Sequence, residues 1–373
     1  MPKRFRVWIA AFLLVAPAAR SQDLDAASRD VERLRGISFA GPVAQRTIDR
    51  SDLRDVLRRE IAKSLPYSAE DYVTVLRALQ LVDASPEATV DKMLDLYESQ
   101  VLAFYDPSSH TYFAIRQMPA VLNGLAGAET LRQSVVVHEL THALQDQRFS
   151  ASTRDFALRR DADAQLAYHA LLEGEASVVM LAWLLEKTGQ SFDEAIKNDA
   201  MLSMMSSTAA EQGIAPGTPR YFIESLKFPY AEGIKLVAAA YRRGGWKEVD
   251  RLHANPPSST REIIHVEEYF ARLDRGETAP AAFEPASAPP DTLTVEHLGE
   301  FHWRFLVGDH ATGWKNDRVT IGCDGLVHVE TWWDDPERAS SFRDAYVSLL
   351  RNHDIEPRVG IDGAFVDVLY RPR

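Results

Sequence analysis

His138, Glu139 and His142 stand in the run Val135-Val136-Val137-His138-Glu139-Leu140-Thr141-His142-Ala143-Leu144-Gln145, a His-Glu-x-x-His pattern set among apolar residues. Residues four apart on an α-helix share a face one turn apart, so the two imidazoles address a common point. That geometry suits two nitrogen ligands of a zinc ion. Glu139 follows the first histidine directly. It can reach a water held at the metal without binding the metal itself, which makes it the candidate general base. The apolar setting supports the reading, because polar groups there are costly without partners and a metal ion supplies one.

A catalytic zinc takes three protein ligands and keeps a fourth position for water. The longer motif His-Glu-x-x-His-x-x-Gly-x-x-His would supply the third ligand from the same segment. Here Gln145 occupies the glycine position and Arg148 the last histidine position, so the third ligand must come from elsewhere. The best candidate is Glu173, in Leu171-Leu172-Glu173-Gly174-Glu175-Ala176, within a second apolar helix expected over residues 162–187. Gly174 costs such a helix about 1 kcal/mol relative to alanine. A glycine there points to something bulky that needs room, a neighbouring helix or the metal. Glu175 projects about 200° round the helix from Glu173 and is the weaker candidate. His169, one turn before Glu173, reads as packing or support for the site rather than as a fourth ligand.

His138-Glu-x-x-His142 followed by Glu173 resembles the gluzincin clan, the thermolysin-like zinc metallopeptidases. The run His138 to Ala143 and Asp146 are similar to the thermolysin type. Glu173-Gly-x-Ala176 is more similar to the aminopeptidase branch, and Ser177 stands where the thermolysin arrangement has an aspartate. More of the chain resembles a group of secreted bacterial members of that clan, through landmarks in one order. These are Leu34-Arg35-Gly36, Phe104-Tyr105-Asp106-Pro107, the two helices just described, Phe228-Pro229-Tyr230, Gly244-Gly245-Trp246, Pro256-Pro257-Ser258-Ser259-Thr260 leading to His265, and Gly313-Trp314 with Asp317-Arg318.

The resemblance implies an α+β, mainly helical fold: a zincin-like metallopeptidase domain with an edge strand and two zinc helices, plus a small C-terminal α+β module. It implies a secreted zinc-dependent hydrolase of peptide bonds; with no residue identified to hold a substrate's amino terminus, an endopeptidase is preferred over an aminopeptidase. Its Zn2+ would be held by His138, His142 and Glu173, with Glu139 as base. In enzymes of this type an edge strand ahead of the zinc helix pairs with an extended peptide, and Thr111–Arg116 is assigned that role. A donor for the oxyanion lies downstream of the third ligand in such enzymes, and Tyr230 and His265 are the candidates.

The elements that must carry these residues follow in chain order. Residues 1–22 have the form of a cleavable secretory signal: Lys3, Arg4 and Arg6, nine apolar residues from Val7 to Val15, then small residues from Ala16 to Ala19. Nine apolar residues are too few to span a bilayer, which takes about 20. The expected location is secreted or periplasmic, with no stable membrane insertion. Residues 23–276 form the expected main domain, with a helical scaffold over 50–102 and a hairpin turning through Tyr105 to His110. Further helices are expected over 192–212, from Phe228 to about Arg242, and in a short piece ending at His265. Thr278 to Pro290, rich in proline and alanine, is the expected linker over 277–290. Residues 291–373 form the C-terminal module, with a helix over 298–307, two strands across Asp324-Gly325, a helix over 340–353 and a final strand. The single cysteine, Cys323, excludes an internal disulfide. The net charge of −12 becomes −16 once Lys3, Arg4, Arg6 and Arg20 are removed, which argues against nucleic acid as a partner and leaves a peptide or protein substrate. The rival to an enzyme is an exported envelope or assembly protein that keeps the zinc as a structural staple, and that needs four protein ligands.

Overall fold

The computed structural model describes residues 24–65, 67–83, 86–117, 128–202, 214–278 and 291–372. The expected signal, most of the linker, and Met204 and Met205 lie outside the described residues. The chain is α+β and mainly helical, and it forms two compact units that interleave along the sequence. One gathers the residues up to 66, 91–157 and 169–256; the other gathers 67–90, 158–168 and 257–373. No helix among the described residues is long and apolar enough to cross a membrane.

The first unit holds a three-stranded sheet of β1 (Ala44–Ile48), β2 (Ala103–Asp106) and β3 (Thr111–Ile115), in the order β1-β3-β2. β2 and β3 form the expected hairpin. Asp106 organises its turn, accepting from the Ser108 amide at 2.8 Å and from the Ser108 and Ser109 hydroxyls at 2.8 and 2.6 Å. The substrate-pairing role expected of Thr111–Arg116 does not fit this sheet. β3 lies in the middle, parallel to β1 on one side and antiparallel to β2 on the other, so both its backbone edges are occupied. The edge strand of the hairpin is β2.

The His-Glu-x-x-His segment lies in the helix Ala128–Phe149. Its apolar residues surround the polar triplet on every side, as expected of a helix buried all round. Val135, Val136, Val137, Leu140 and Leu144 share a core with Val31, Leu102, Tyr112, Val179, Trp183 and Tyr230.

The second helix runs Ala162–Lys187, with the bounds expected from sequence, and crosses the helix Arg220–Gly244 at two glycines. A Cβ on Gly174 would lie 2.2 Å from the carbonyl oxygen of Gly233, and one on Gly233 would lie 2.0 Å from that of Ala170. The room expected around Gly174 is therefore taken by backbone of the neighbouring helix. That helix starts eight residues before Phe228, so Pro229 lies inside it rather than at its opening. A proline there forfeits one backbone hydrogen bond without ending the helix.

In the second unit, β4 (Thr292–Glu296), β5 (Trp314–Gly322), β6 (Val327–Trp333), β7 (Arg358–Asp362) and β8 (Phe365–Tyr370) make an antiparallel sheet in the order β4-β5-β6-β8-β7. β5 and β6 turn across Asp324-Gly325 as expected, with Gly325 at φ 78°. Helix Pro336–Asn352 lays Phe342 against Trp303 and Trp333, with ring centroids 5.1 and 4.5 Å apart. Asp317 binds the unit together. Its carboxylate accepts from the amides of Leu298 and Gly299 at 2.8 Å each, and from the indoles of Trp303 and Trp314 at 2.9 and 3.0 Å.

Candidate metal centre

His138 and His142, one turn apart on the helix Ala128–Phe149, meet Glu173 from the helix Ala162–Lys187. The two Nε2 atoms are 3.1 Å apart, and Glu173 Oε2 lies 3.2 Å from that of His138 and 3.4 Å from that of His142. All three side chains are buried, His138 at 0% exposure, His142 at 1% and Glu173 at 5%. Among the described residues this is the group of His, Cys, Asp and Glu side chains that can hold a metal ion.

Burial and mutual proximity shift the protonation of all three groups. Burial pulls the His138 imidazolium down to about 4. Burial also opposes charge on His142, but the Glu173 carboxylate beside it outweighs that penalty and lifts it to about 9. Burial disfavours the charged form of Glu173 too. The two histidines override it and hold the carboxyl well below its ordinary value. A divalent cation would answer all three buried groups at once.

Both histidines have neighbours on the side away from Glu173. The backbone of Ala176 lies by His138 and favours its charged form. His142 Nδ1 lies 2.9 Å from Gln145 Oε1. The Gln145 amide nitrogen faces two acceptors, the Leu172 carbonyl at 3.0 Å and Glu175 Oε2 at 2.7 Å. The amide oxygen must therefore face the ring, so Nδ1 carries a hydrogen and Nε2 points at the centre. Glu175, the weaker sequence candidate for third ligand, takes no part in the triad. It is paired with Arg35 and with His253 Nε2 at 2.6 Å. His169 is likewise engaged elsewhere, 2.7 Å from Asp155.

Glu139 is 1% exposed. Its Oε2 accepts the Tyr105 amide of β2 at 3.0 Å, while Oε1 has no hydrogen-bond partner among the described residues. Burial, with the nearby Glu173 carboxylate, raises its pKa well above the ordinary value against the pull of His142. Tyr105 is anchored in turn. Its hydroxyl donates to Asp146 Oδ2 at 3.3 Å and lies 3.1 Å from His110 Nδ1, which ties β2 to the ligand helix. Because the Tyr105 amide faces Glu139, it points away from β3, toward the helix Ala128–Phe149.

Of the two oxyanion candidates, Tyr230 is brought to the triad. It sits one turn before the Gly174–Gly233 crossing, with its ring centroid 6.4 Å from that of His138. His265 belongs to the second unit, where its Nε2 lies 3.0 Å from Glu300. Sequence reasoning missed Gln145 and His253 altogether, and Arg35 appeared only as one letter of a landmark. The one available signal for Gln145 was its position three residues after a ligand histidine, on the same helical face. No protein-family model, no curated protein and no solved structure matches the chain.

Proposed function

We propose that the chain is a zinc metallopeptidase of the gluzincin type, exported from the cell, with His138, His142 and Glu173 as ligands and Glu139 as general base. The observation that carries this reading is three buried ligand atoms 3.1 to 3.4 Å apart beside a buried carboxylate with one unpartnered oxygen. Tetrahedral zinc with bonds of about 2.0–2.1 Å places its ligand atoms about 3.3–3.4 Å from one another, so the spacing fits. Among the described residues no fourth protein ligand joins the three, which favours an open catalytic site over a closed staple.

When bound, zinc supplies a Lewis acid that polarises the scissile carbonyl and acidifies water. The residues of the chain do the rest. Glu139 Oε1 takes a proton as the water oxygen bonds to the carbonyl carbon, while the Tyr105 amide holds Oε2 and fixes the carboxylate. The same proton then passes to the leaving nitrogen as the C–N bond breaks. Tyr230 and His265 are the candidate donors to the oxyanion; the Tyr230 ring lies 6.4 Å from that of His138, and Glu300 holds His265 through Nε2.

Metal analysis of the purified chain, paired with a peptide-library cleavage assay, tests the reading. Stoichiometric zinc and cleavage that disappears in Glu139→Gln are expected. A chain that takes up no zinc, or cleavage undiminished in that variant, overturns it.

A further inference from the structure

The side chains behind His142 form a chain of contacts more elaborate than an imidazole needs for burial alone. Gln145 meets His142 through its oxygen and Glu175 through its nitrogen. Both Glu175 oxygens are fully engaged, Oε1 by Arg35 and Oε2 by His253 and Gln145. Arg35 also reaches Asp250 and lies 4.8 Å from the Trp246 ring centroid, while His253 stacks on Phe149 at 3.9 Å. Both Arg35 and Glu175 are essentially inaccessible to solvent, at 0% and 1% side-chain exposure. Burying such charges costs several kcal/mol per ion, and an ion pair at this depth is weak evidence of a stabilising purpose. What the cluster does fix is the orientation of one amide. A carboxylate that can only accept holds the NH2 group of Gln145, so its oxygen cannot turn away from His142.

We propose that Gln145, oriented by Glu175, is a positioning residue for the metal, fixing the tautomer and aim of His142. This inference rests on the metal-site reading above. The usual support for a ligand histidine is a direct acceptor on its other nitrogen. Here the acceptor is a neutral amide with a carboxylate behind it. Arg35, the last residue of the helix Leu24–Arg35, thereby becomes part of the support for the site.

The test is zinc affinity of the full-length protein, by competition with a chromophoric chelator, set beside urea unfolding of the metal-free protein. Gln145→Met keeps the volume and removes the acceptor; it is expected to weaken zinc binding about 10–100-fold. Gln145→Glu keeps an oxygen on Nδ1 but sets a second carboxylate beside Glu175. It is expected to bind zinc near the wild-type affinity while its metal-free form unfolds at lower urea. If affinity instead follows stability in both variants, or Gln145→Met binds as tightly as wild type, the inference is overturned. A wild-type chain that takes up no zinc overturns the metal-site reading itself, and this inference falls with it.

Discussion

Gly174→Ala sets two expectations of opposite sign against each other. In an ordinary helix interior the change stabilises by about 1 kcal/mol, because alanine loses less backbone freedom on folding. Here the new Cβ would lie 2.2 Å from the Gly233 carbonyl oxygen. Carbon and carbonyl oxygen approach comfortably to about 3.3 Å, so the two helices must part by about 1 Å. Overpacking against backbone costs about 3 kcal/mol at the upper end of its usual range, since neither helix can swing aside as a side chain would. The expected net effect is a loss of about 2 kcal/mol, once the helical preference of about 1 kcal/mol is subtracted. Metal binding should suffer more than stability does. Glu173 is the adjacent residue, and ligand distances tolerate shifts of only about 0.2 Å. Urea unfolding of the metal-free protein and zinc competition measure the two effects separately. A variant more stable than wild type, with zinc affinity unchanged, would refute the close approach of the two helices.

Four further outcomes are expected. Glu139→Gln should retain the metal, by elemental analysis, and lose peptide hydrolysis by at least about 100-fold, the lower end for general-base catalysis. Glu173→Ala should lose the metal. Glu175→Ala should keep the metal at saturating zinc but lower unfolding stability by about 3 kcal/mol, the lower end for breaking a buried pair, because Arg35 is left with Asp250 alone; metal loss only in the second variant would reverse the ligand assignment. Tyr230→Phe should lower kcat by about 100-fold or more with metal content and fold unchanged, and an unaltered kcat would remove it from the reaction. In the second unit, burial pushes Asp163 from 3.8 to about 8. Burial opposes the charge on His297, but its hydrogen bond to Asp161 and the carboxylates of Asp317 and Asp163 prevail, raising it from 6.5 to about 10. Both groups bind protons more tightly folded than unfolded. Stability of that unit should therefore fall as pH rises, through 3.8 to about 8 for Asp163 and through 6.5 to about 10 for His297. Urea midpoints across this range should flatten above about pH 8 in His297→Gln, and an unchanged slope there would discount the histidine.

The contrast between what sequence spacing revealed and what it hid is physical. The triad could be read because its two histidines obey the helical repeat and because Gly174 is a costly residue to keep in a helix. The hairpin could be read because Asp106 and two serines are turn chemistry. The role of β3 could not, because linear order does not say which strand another will be inserted beside. β1, 67 residues earlier in register, closes the edge that Thr111–Arg116 was expected to offer. Pro229 was misleading as a helix opener, since tertiary packing carries the helix through it. β7 was hidden for a different reason. It is exposed on both faces and shows no alternation of apolar and polar burial to detect. The support for His142 was the least visible part of the site. Gln145 looked like a failed motif position, and its partners come from three segments with no periodic relation to it.

Those segments are far apart along the chain. Arg35 is separated from Glu175 by 140 residues and from Asp250 by 215. Contacts of such range form only after the intervening polypeptide has collapsed, since loop-closure entropy opposes them earlier. During synthesis, Arg35 emerges long before the residue that completes its shell. At the proposed site, a cation would therefore depend on long-range folding for its support, whereas in small zinc modules the ion itself organises the fold.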